Sequence, residues 1–526
     1  MKSMMTHTTV MSGARAAMLG LAVISLVNCS SSDDSTPQVT SGGSAALQGP
    51  LVLVNNTGDK TLTSVALKGD SGNAVVGTIP STKFENVALG DLQFSEGEWV
   101  FLNLGAANKV ATIDPLTGAQ PIHEVNLVTG TRPVHIYRDS NDGEVIWSMN
   151  DGDNAGGTTT PGDDLINCAA QGGGSVTALH NSHLGPGGHP PIVLGTTCLL
   201  ADGHHVATFS SGTGVPKRVF VTSADAGEMA VINDDETSAD YRKMIKRIDL
   251  CNSAKEATPC NDESTTPLTT AFTPNSSTPH GIRWSKLTKK VYSIQEGYHT
   301  IVEIDPTSLV ITKTFDLTGL PYTGYGISAD GRFLLLRGDT TPSTGTKLGV
   351  IDLGTAGTPR TDFTIPELDG TSTGSFKFSP DEKRFYILAG NATASTKKDR
   401  LFAFDASTLT ATPPKLTLIL EIPLIAGGDS AGFDAAHSLD VLAQGAGEAK
   451  YIVVSNKADN SVSIINATDN LIKQTVTNVG SLPGAVMIYA PGTAAAGNQA
   501  VASPSAGSNA KPSVLPERLD DHGMQK

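Results

Sequence analysis

The sequence predicts an all-β fold, a single closed ring of eight four-stranded blades, and three observations lead to it. Hardly any stretch carries a helical period; short β-rich runs such as "RVFVTS" and "SVSIIN" are instead punctuated by Gly, Asn, Asp and Pro. A three-strand pattern recurs, as "KVYSIQEGYHTIVEIDPTSLVITKTFDL" from Lys290 and "YIVVSNKADNSVSIINATDNLIKQTV" from Tyr451. Its middle strand ends on Asp or Asn at regular steps: 47 residues from Asp305 to Asp352, 53 on to Asp405 and 61 on to Asn466. Sheets of four strands returning every 40 to 50 residues or so are the period of a β-propeller.

The same middle strand is read at "TLTSVAL", "KVATID" (Asp114), "EMAVIND" (Asp234), "TIVEID", "LGVID", "LFAFD" and "SVSIIN". Asp114 and Asp234 stand 120 residues apart, room for two units, and "SVTALHNS" from Ser175 to Ser182 supplies the missing strand. The count is then eight; seven is the alternative if the long third unit is an insertion. The chain enters at an interior strand, "LVLVNN", so the late strand "GAVMIY" (Gly484 to Tyr489) is expected to complete the first blade and leave no open edge. These units resemble the YVTN-type β-propeller repeat, whose name-giving strand is loosely matched by "YIVVSN", "RVFVTS" and "KVYSIQ". The resemblance spans nearly all of Leu51 to Ala490. It implies a fold and leaves function open, because that family is functionally mixed.

The ends read differently from the body. Lys2 and Arg15 precede an apolar run from Ala16 to Val27, too short for a stable span, which reads as a secretory signal over residues 1–28. The run closes on Leu26-Val27-Asn28-Cys29 and resembles a bacterial lipobox, which implies lipidation of Cys29; Asn28 departs from the small residue usual there. Ser30 stands where an inner-membrane retention signal has Asp, so the resemblance points to the outer membrane of the cell envelope. Residues 29–49 are a Ser/Gly-rich tether, residues 50–490 the propeller, and residues 491–526 a low-complexity tail expected to be disordered.

Cys29 aside, four cysteines remain, and an even number in an exported chain favours disulfides. Cys251 and Cys260 lie close enough in sequence for a local loop staple, which leaves Cys168 with Cys198; no C-x-x-C spacing supports zinc instead. A net charge of -15 argues against nucleic acid as the main partner. The expected contacts are the membrane, through the lipid anchor alone, and an envelope protein at the blade-top face; a monomer is expected.

Candidate functional residues come from the starts of the innermost strands, which stand at the channel mouth. These read "RPVHIYRD", "DGHHVATFS", "TPHGIRWS", "TGYGISADG", "TGSFKFSPD", "AAHSLD" and "PGAVMIY". Aligned on the preceding Pro or Gly, they put His135, His204 or His205, and His280 on three consecutive blades, then Tyr325 and Ser375, with His437 further round the ring. His299, in a turn between two strands, is expected on the same face. Only alternate residues of a strand share a face, so one of His204 and His205 points inward, and alignment with His280 favours His204. Imidazoles converging from rigid strands suit a transition metal, copper, zinc or iron, and the candidate ligands are His135, His204, His205, His280, His299 and His437. A polar, wet channel lining is the alternative. The chain is similar to the copper-cluster domain of nitrous oxide reductase and the haem d1 domain of nitrite reductase only in architecture and channel histidines. It has fewer histidines than the former and no C-x-x-C-H sequence.

Other motifs carry less. "GDSAG" around Ser430 and "GTSTG" around Ser372 both match G-x-S-x-G, but that elbow requires a strand-to-helix turn. "NDGDNAGG" (Asn150 to Gly157) departs from a calcium loop at Ala155 and reads as a solvated turn. "HNSHLGPGGHPP" (His180 to Pro191) reads as a surface loop, with a lid or partner site as its functional alternative. The sequence thus supports a lipid-anchored propeller acting as a binding module, with a metal-dependent redox or hydrolytic enzyme and a metal-free envelope scaffold as the rival readings.

Overall fold

The computed structural model describes residues 50–490 apart from 96–98, 115–120, 153–172, 182–189, 202, 262–271, 321, 339–345, 370, 391–398, 425–437 and 445–447. Eight four-stranded antiparallel sheets form the blades of a β-propeller. Their first, innermost strands are Leu92–Phe94, Pro133–Arg138, His205–Ser210, Pro279–Ser285, Tyr322–Ile327, Ser372–Phe378 and Leu439–Gln444 for blades two to eight. Blade one takes its innermost strand from the other end of the chain: Pro483–Tyr489 pairs antiparallel with Leu51–Asn56. The eight-blade count and the closing strand are therefore as the repeat spacing predicts, and Ser175–His180 is the third strand of blade three.

Among the described residues the buried apolar side chains fall into several clusters, in which side chains from facing sheets fill the gaps between neighbouring blades. Phe333, Leu335 and Leu348 of blade six pack on Phe385, Phe402 and Phe404 of blade seven, and Val52 and Val54 of blade one pack on Val453 and Ile464 of blade eight. Sandwiched strands are covered on both faces, which is why Arg384–Gly390 and Phe333–Gly338 read as continuous apolar runs. The fourth strands line the rim and alternate, as in Ile311–Asp316 and Arg360–Thr364.

The residue that gives the repeat its ruler is a turn former. Asp305 Oδ1 accepts the N–H groups of Thr307 and Ser308 (2.7 and 2.9 Å), and Asp405 Oδ1 accepts Ser407 N–H and Oγ–H. Asn466 Oδ1 likewise accepts Thr468 N–H. Each side chain closes an Asx turn that sends the third strand back as the fourth. A second recurring device ends the second strand: Asn56 Nδ2 donates to Thr61 and Thr63, Asn150 Nδ2 to Ser175 and Thr177, and Asn456 Nδ2 to Ser461 and Ser463. One buried amide so registers two hydroxyls of the third strand, and this is what the terminal Asn of "YIVVSN" does.

Cys251 and Cys260 form a disulfide with Cα atoms 5.6 Å apart, the expected local staple. Cys198 is also disulfide-bonded; Cys168, its expected partner, lies outside the described residues, as do Cys29, the signal region, the tether and the C-terminal tail. Ser372 of "GTSTG" lies in a first strand, so the match carries no nucleophile elbow, and Ser430 of "GDSAG" is outside the described residues. No helix of the described residues is long and apolar enough to cross a membrane.

Candidate functional site

Antiparallel pairing fixes what stands beside each first-strand start. Pro133 pairs with Asn150, His205 with Ser223 and Pro279 with Gln295, so the turn after every second strand opens on the face where the first strand begins. The ladder slips between Pro133 and His135 and again between Pro279 and Ile282. At the second slip Gly281 takes φ +133, a conformation open to glycine, and the bulge re-aims His280.

Three imidazoles meet there. The rings of His135 and His204 lie 4.6 Å apart edge to face, and those of His204 and His280 lie 4.6 Å apart, tilted by 49°. His135 Nε2 is 3.4 Å from His204 Nδ1. Blades three, four and five each contribute one ring, in the order the strand starts align. The His135, His280 and His204 side chains are 2%, 10% and 20% exposed, so His204 is the most exposed of the three.

Carboxylates orient the rings. Asp91, just before the first strand of blade two, accepts from His135 Nδ1 at 2.7 Å, and Glu296, just after the second strand of blade five, accepts from His280 Nδ1 at 2.8 Å. A carboxylate accepts only, so Nδ1 carries the hydrogen and neutral His135 turns its Nε2 lone pair toward His204. Asp151 Oδ1 accepts from His205 Nδ1 at 3.1 Å and from His205 N–H at 3.3 Å, while its Oδ2 is 3.7 Å from His204 Nδ1. The His205 side chain is fully buried, and its Nε2 has no hydrogen-bond partner among the described residues. Gly174 stands against it: at φ +67, a Cβ there would sit 2.9 Å from His205 Cε1.

The two rings of the HH pair therefore separate, His204 to the shared cluster and His205 to the nearer oxygen of Asp151, whose other oxygen lies beside His204. Asn150 and Asp151 of "NDGDNAGG" are not solvated as read, Asn150 being buried and the Asp151 side chain only 13% exposed, while residues 153–157 lie outside the described residues. His299 sits in the turn between Lys290–Gln295 and Thr300–Ile304 with φ 54, and its side chain is exposed. His437 lies outside the described residues. Tyr325 turns away from the mouth, its hydroxyl donating to Tyr292 O at 2.6 Å, and Ser375 is buried. Burial raises the pKa of the Tyr325 hydroxyl; it raises that of Tyr137 too, where the Asp91 charge adds to it. Both hydroxyls stay protonated at neutral pH, and neither offers a phenolate ligand.

Among the described residues, one trio of ligand-type atoms lies mutually within 4.8 Å, formed by Asp249, Cys251 and Cys260. Its sulfurs are bonded to each other and offer no thiolate. The three histidines are not so gathered: His135 and His204 present nitrogens at ligand spacing, and His280 meets His204 through its ring.

No protein-family model matches the chain, and no curated protein matches it significantly. Solved structures do. The chain is similar to Sqt1 of Saccharomyces cerevisiae, with 11% identity over 78% of this chain and 92% of that one, TM-score 0.50. It is also similar to the periplasmic gluconolactonase PpgL of Pseudomonas aeruginosa (13% identity, 84% and 99% covered, TM-score 0.44) and to apo AztD from Citrobacter koseri (14%, 84% and 98%, TM-score 0.46). At these identities the likeness is one of fold.

Proposed function

We propose that this chain is an exported, envelope-anchored propeller whose channel mouth binds a divalent transition metal ion through His135, His204 and His280. One observation carries the reading: His135 Nε2 and His204 Nδ1 stand 3.4 Å apart, with the far nitrogen of His135 fixed by a buried carboxylate. Two ligands about 2.0–2.1 Å from a tetrahedral ion are separated by about 3.3–3.4 Å. A carboxylate behind a ligating imidazole is the usual means of fixing its tautomer and raising its basicity, and both His135 and His280 have one. The third bond needs a modest turn of His204 or His280, and His204, the partly exposed ring, is the one placed to make it. All-nitrogen donors favour zinc or copper over calcium or magnesium.

Export and anchoring rest on the basic start, the apolar run and Cys29. The reading is of a binding module, because the cluster supplies nitrogen ligands for an ion. Zinc and copper titration of the soluble body, followed by calorimetry and elemental analysis, tests it. One ion per chain with micromolar or tighter affinity is expected, lost in His135→Ala and His204→Ala. A metal-free protein that takes up no ion under these conditions overturns it.

A further inference from the structure

Beyond the mouth, the loop closed by Cys251 and Cys260 packs against the turn that carries Glu296. Tyr298, two residues past Glu296, is 2% exposed, and its hydroxyl donates to Glu256 Oε1 at 2.5 Å. The same oxygen accepts Ser276 N–H at 2.6 Å. Lys255 Nζ donates to Tyr298 O and lies 6.0 Å from the centre of its ring.

These contacts grip two chain segments at once. Ser276 belongs to the lead-in to the first strand of blade five, which begins at Pro279 and carries His280. Tyr298 belongs to the turn that carries Glu296, the carboxylate holding His280 Nδ1. Backbone bonds tie the two segments directly: Glu296 N–H donates to Thr278 O and Gly297 N–H to Ser277 O. The approach is close, since a Cβ on Gly297 would fall 1.8 Å from Ser276 O. The disulfide, bridging a separation of 9 residues, holds the gripping loop in one conformation. Asp249 completes the frame by accepting from Cys251 N–H, Asn261 and Asn275.

We infer that Glu256 is a positioning residue for His280, acting through Ser276 and Tyr298, and that the Cys251–Cys260 loop exists to hold it there. This rests on the metal-binding reading for its purpose, but its geometry stands by itself. Glu256 touches no histidine of the cluster; it sets the spacing between the strand that carries His280 and the turn that carries Glu296.

The test uses the soluble body labelled with ¹⁵N in histidine rings, compared as wild type, Glu256→Ala, Glu256→Gln and the Cys251→Ser/Cys260→Ser pair. Glutamine keeps an oxygen able to accept both bonds, so Glu256→Gln is expected to behave as wild type. Glu256→Ala and the double serine variant are expected to shift the ring-nitrogen signals of His280 while those of His135 stay in place. With Co²⁺ as the probe, the same two variants are expected to bind about tenfold more weakly. Unchanged His280 signals in a folded Glu256→Ala protein overturn the inference whatever the metal result. A shift of His280 in a protein that binds no Co²⁺ upholds the positioning role and removes the metal reading. Should Glu256→Ala not fold, the Gln variant and Tyr298→Phe, which loses only the hydroxyl bond, provide the comparison, and a His280 signal unmoved in Tyr298→Phe overturns the inference.

Discussion

Asp91 of blade two holds the imidazole of His135 in blade three at 2.7 Å, and both side chains are almost wholly out of solvent. The bond crosses a blade boundary and sets which nitrogen of His135 faces His204. Replacing Asp91 with alanine leaves the ring able to turn and its Nδ1–H without this acceptor. Metal affinity is expected to fall 10- to 100-fold, the usual effect of removing a carboxylate behind a ligating imidazole. Calorimetric titration with zinc checks it, and an affinity equal to wild type in a folded variant shows that His135 needs no such support.

Glu228 and Arg247 form a deeply buried ion pair, with the guanidinium Nη1 2.9 Å from both carboxylate oxygens and side-chain exposures of 0% and 3%. Glu228 also accepts Leu200 N–H at 3.0 Å, so the pair fastens the entry to blade four onto its third and fourth strands. Glu228→Ala strands a buried guanidinium and is expected to cost about 3–5 kcal/mol, whereas replacing both residues by methionine recovers most of that. Urea unfolding of the three proteins decides the matter; a single variant within about 0.5 kcal/mol of wild type contradicts it.

How much of this was readable from the chain depends on how local the cause is. The blades were legible because the Asx turns at Asp305, Asp405 and Asn466 act within three residues and recur with the repeat. The meeting of His135, His204 and His280 was legible because equivalent positions of adjacent blades face one axis. Their carboxylates were not: Asp91 is 44 residues from His135, Asp151 is 54 from His205, and an acid beside glycine looks like any solvated turn. The usable signal was positional, an acid one residue before a first strand or one past a second strand. Tyr325 shows the converse limit, since alignment put it at the mouth while its side chain packs toward Tyr292. His299 lies in the expected turn, with a left-handed backbone and an exposed side chain.

Ring closure has its own fastening. Asp440, in the first strand of blade eight, accepts Ile488 N–H of the closing strand at 2.7 Å through Oδ2, while its Oδ1 pairs with Lys377 of blade seven. Without it, the channel-facing N–H of Ile488 loses its acceptor and Lys377 its counter-ion. Asp440→Ala is expected to cost about 1–3 kcal/mol, the penalty for stranding such groups. The loss falls on closure, so hydrogen exchange should speed by about tenfold or more over Pro483–Tyr489 and Leu51–Asn56 before other blades respond. Uniform acceleration round the ring, or none, rules the fastening out.

Between blades three and four, Asp139 and Asp234 are buried side by side. Asn141 Nδ2 donates to Asp234 Oδ2 at 2.8 Å and to Ser210 O, and Trp147 Nε1 donates to Asp139 Oδ2 at 2.8 Å. Burial, and then the neighbouring Asp139 charge, pushes the Asp234 carboxyl up to about 9, and burial raises Asp139 as well; Lys217 opposes the rise only weakly. The sign follows from linkage. In the unfolded chain Asp234 ionises near 3.8, so between there and about 9 the folded protein holds a proton that the unfolded chain does not. Stability from this pair is complete at acid pH below 3.8 and declines as pH rises, by up to about 1.4 kcal/mol per pH unit, until the folded group itself ionises. Asp234→Asn keeps a neutral donor facing Asp139 and an acceptor facing Asn141. It is expected to be more stable than wild type at pH 8, to lose that advantage toward pH 4, and to flatten the slope between. Urea unfolding at pH 5, 6, 7 and 8 measures this, and parallel profiles for the two proteins show that the pair shares no proton.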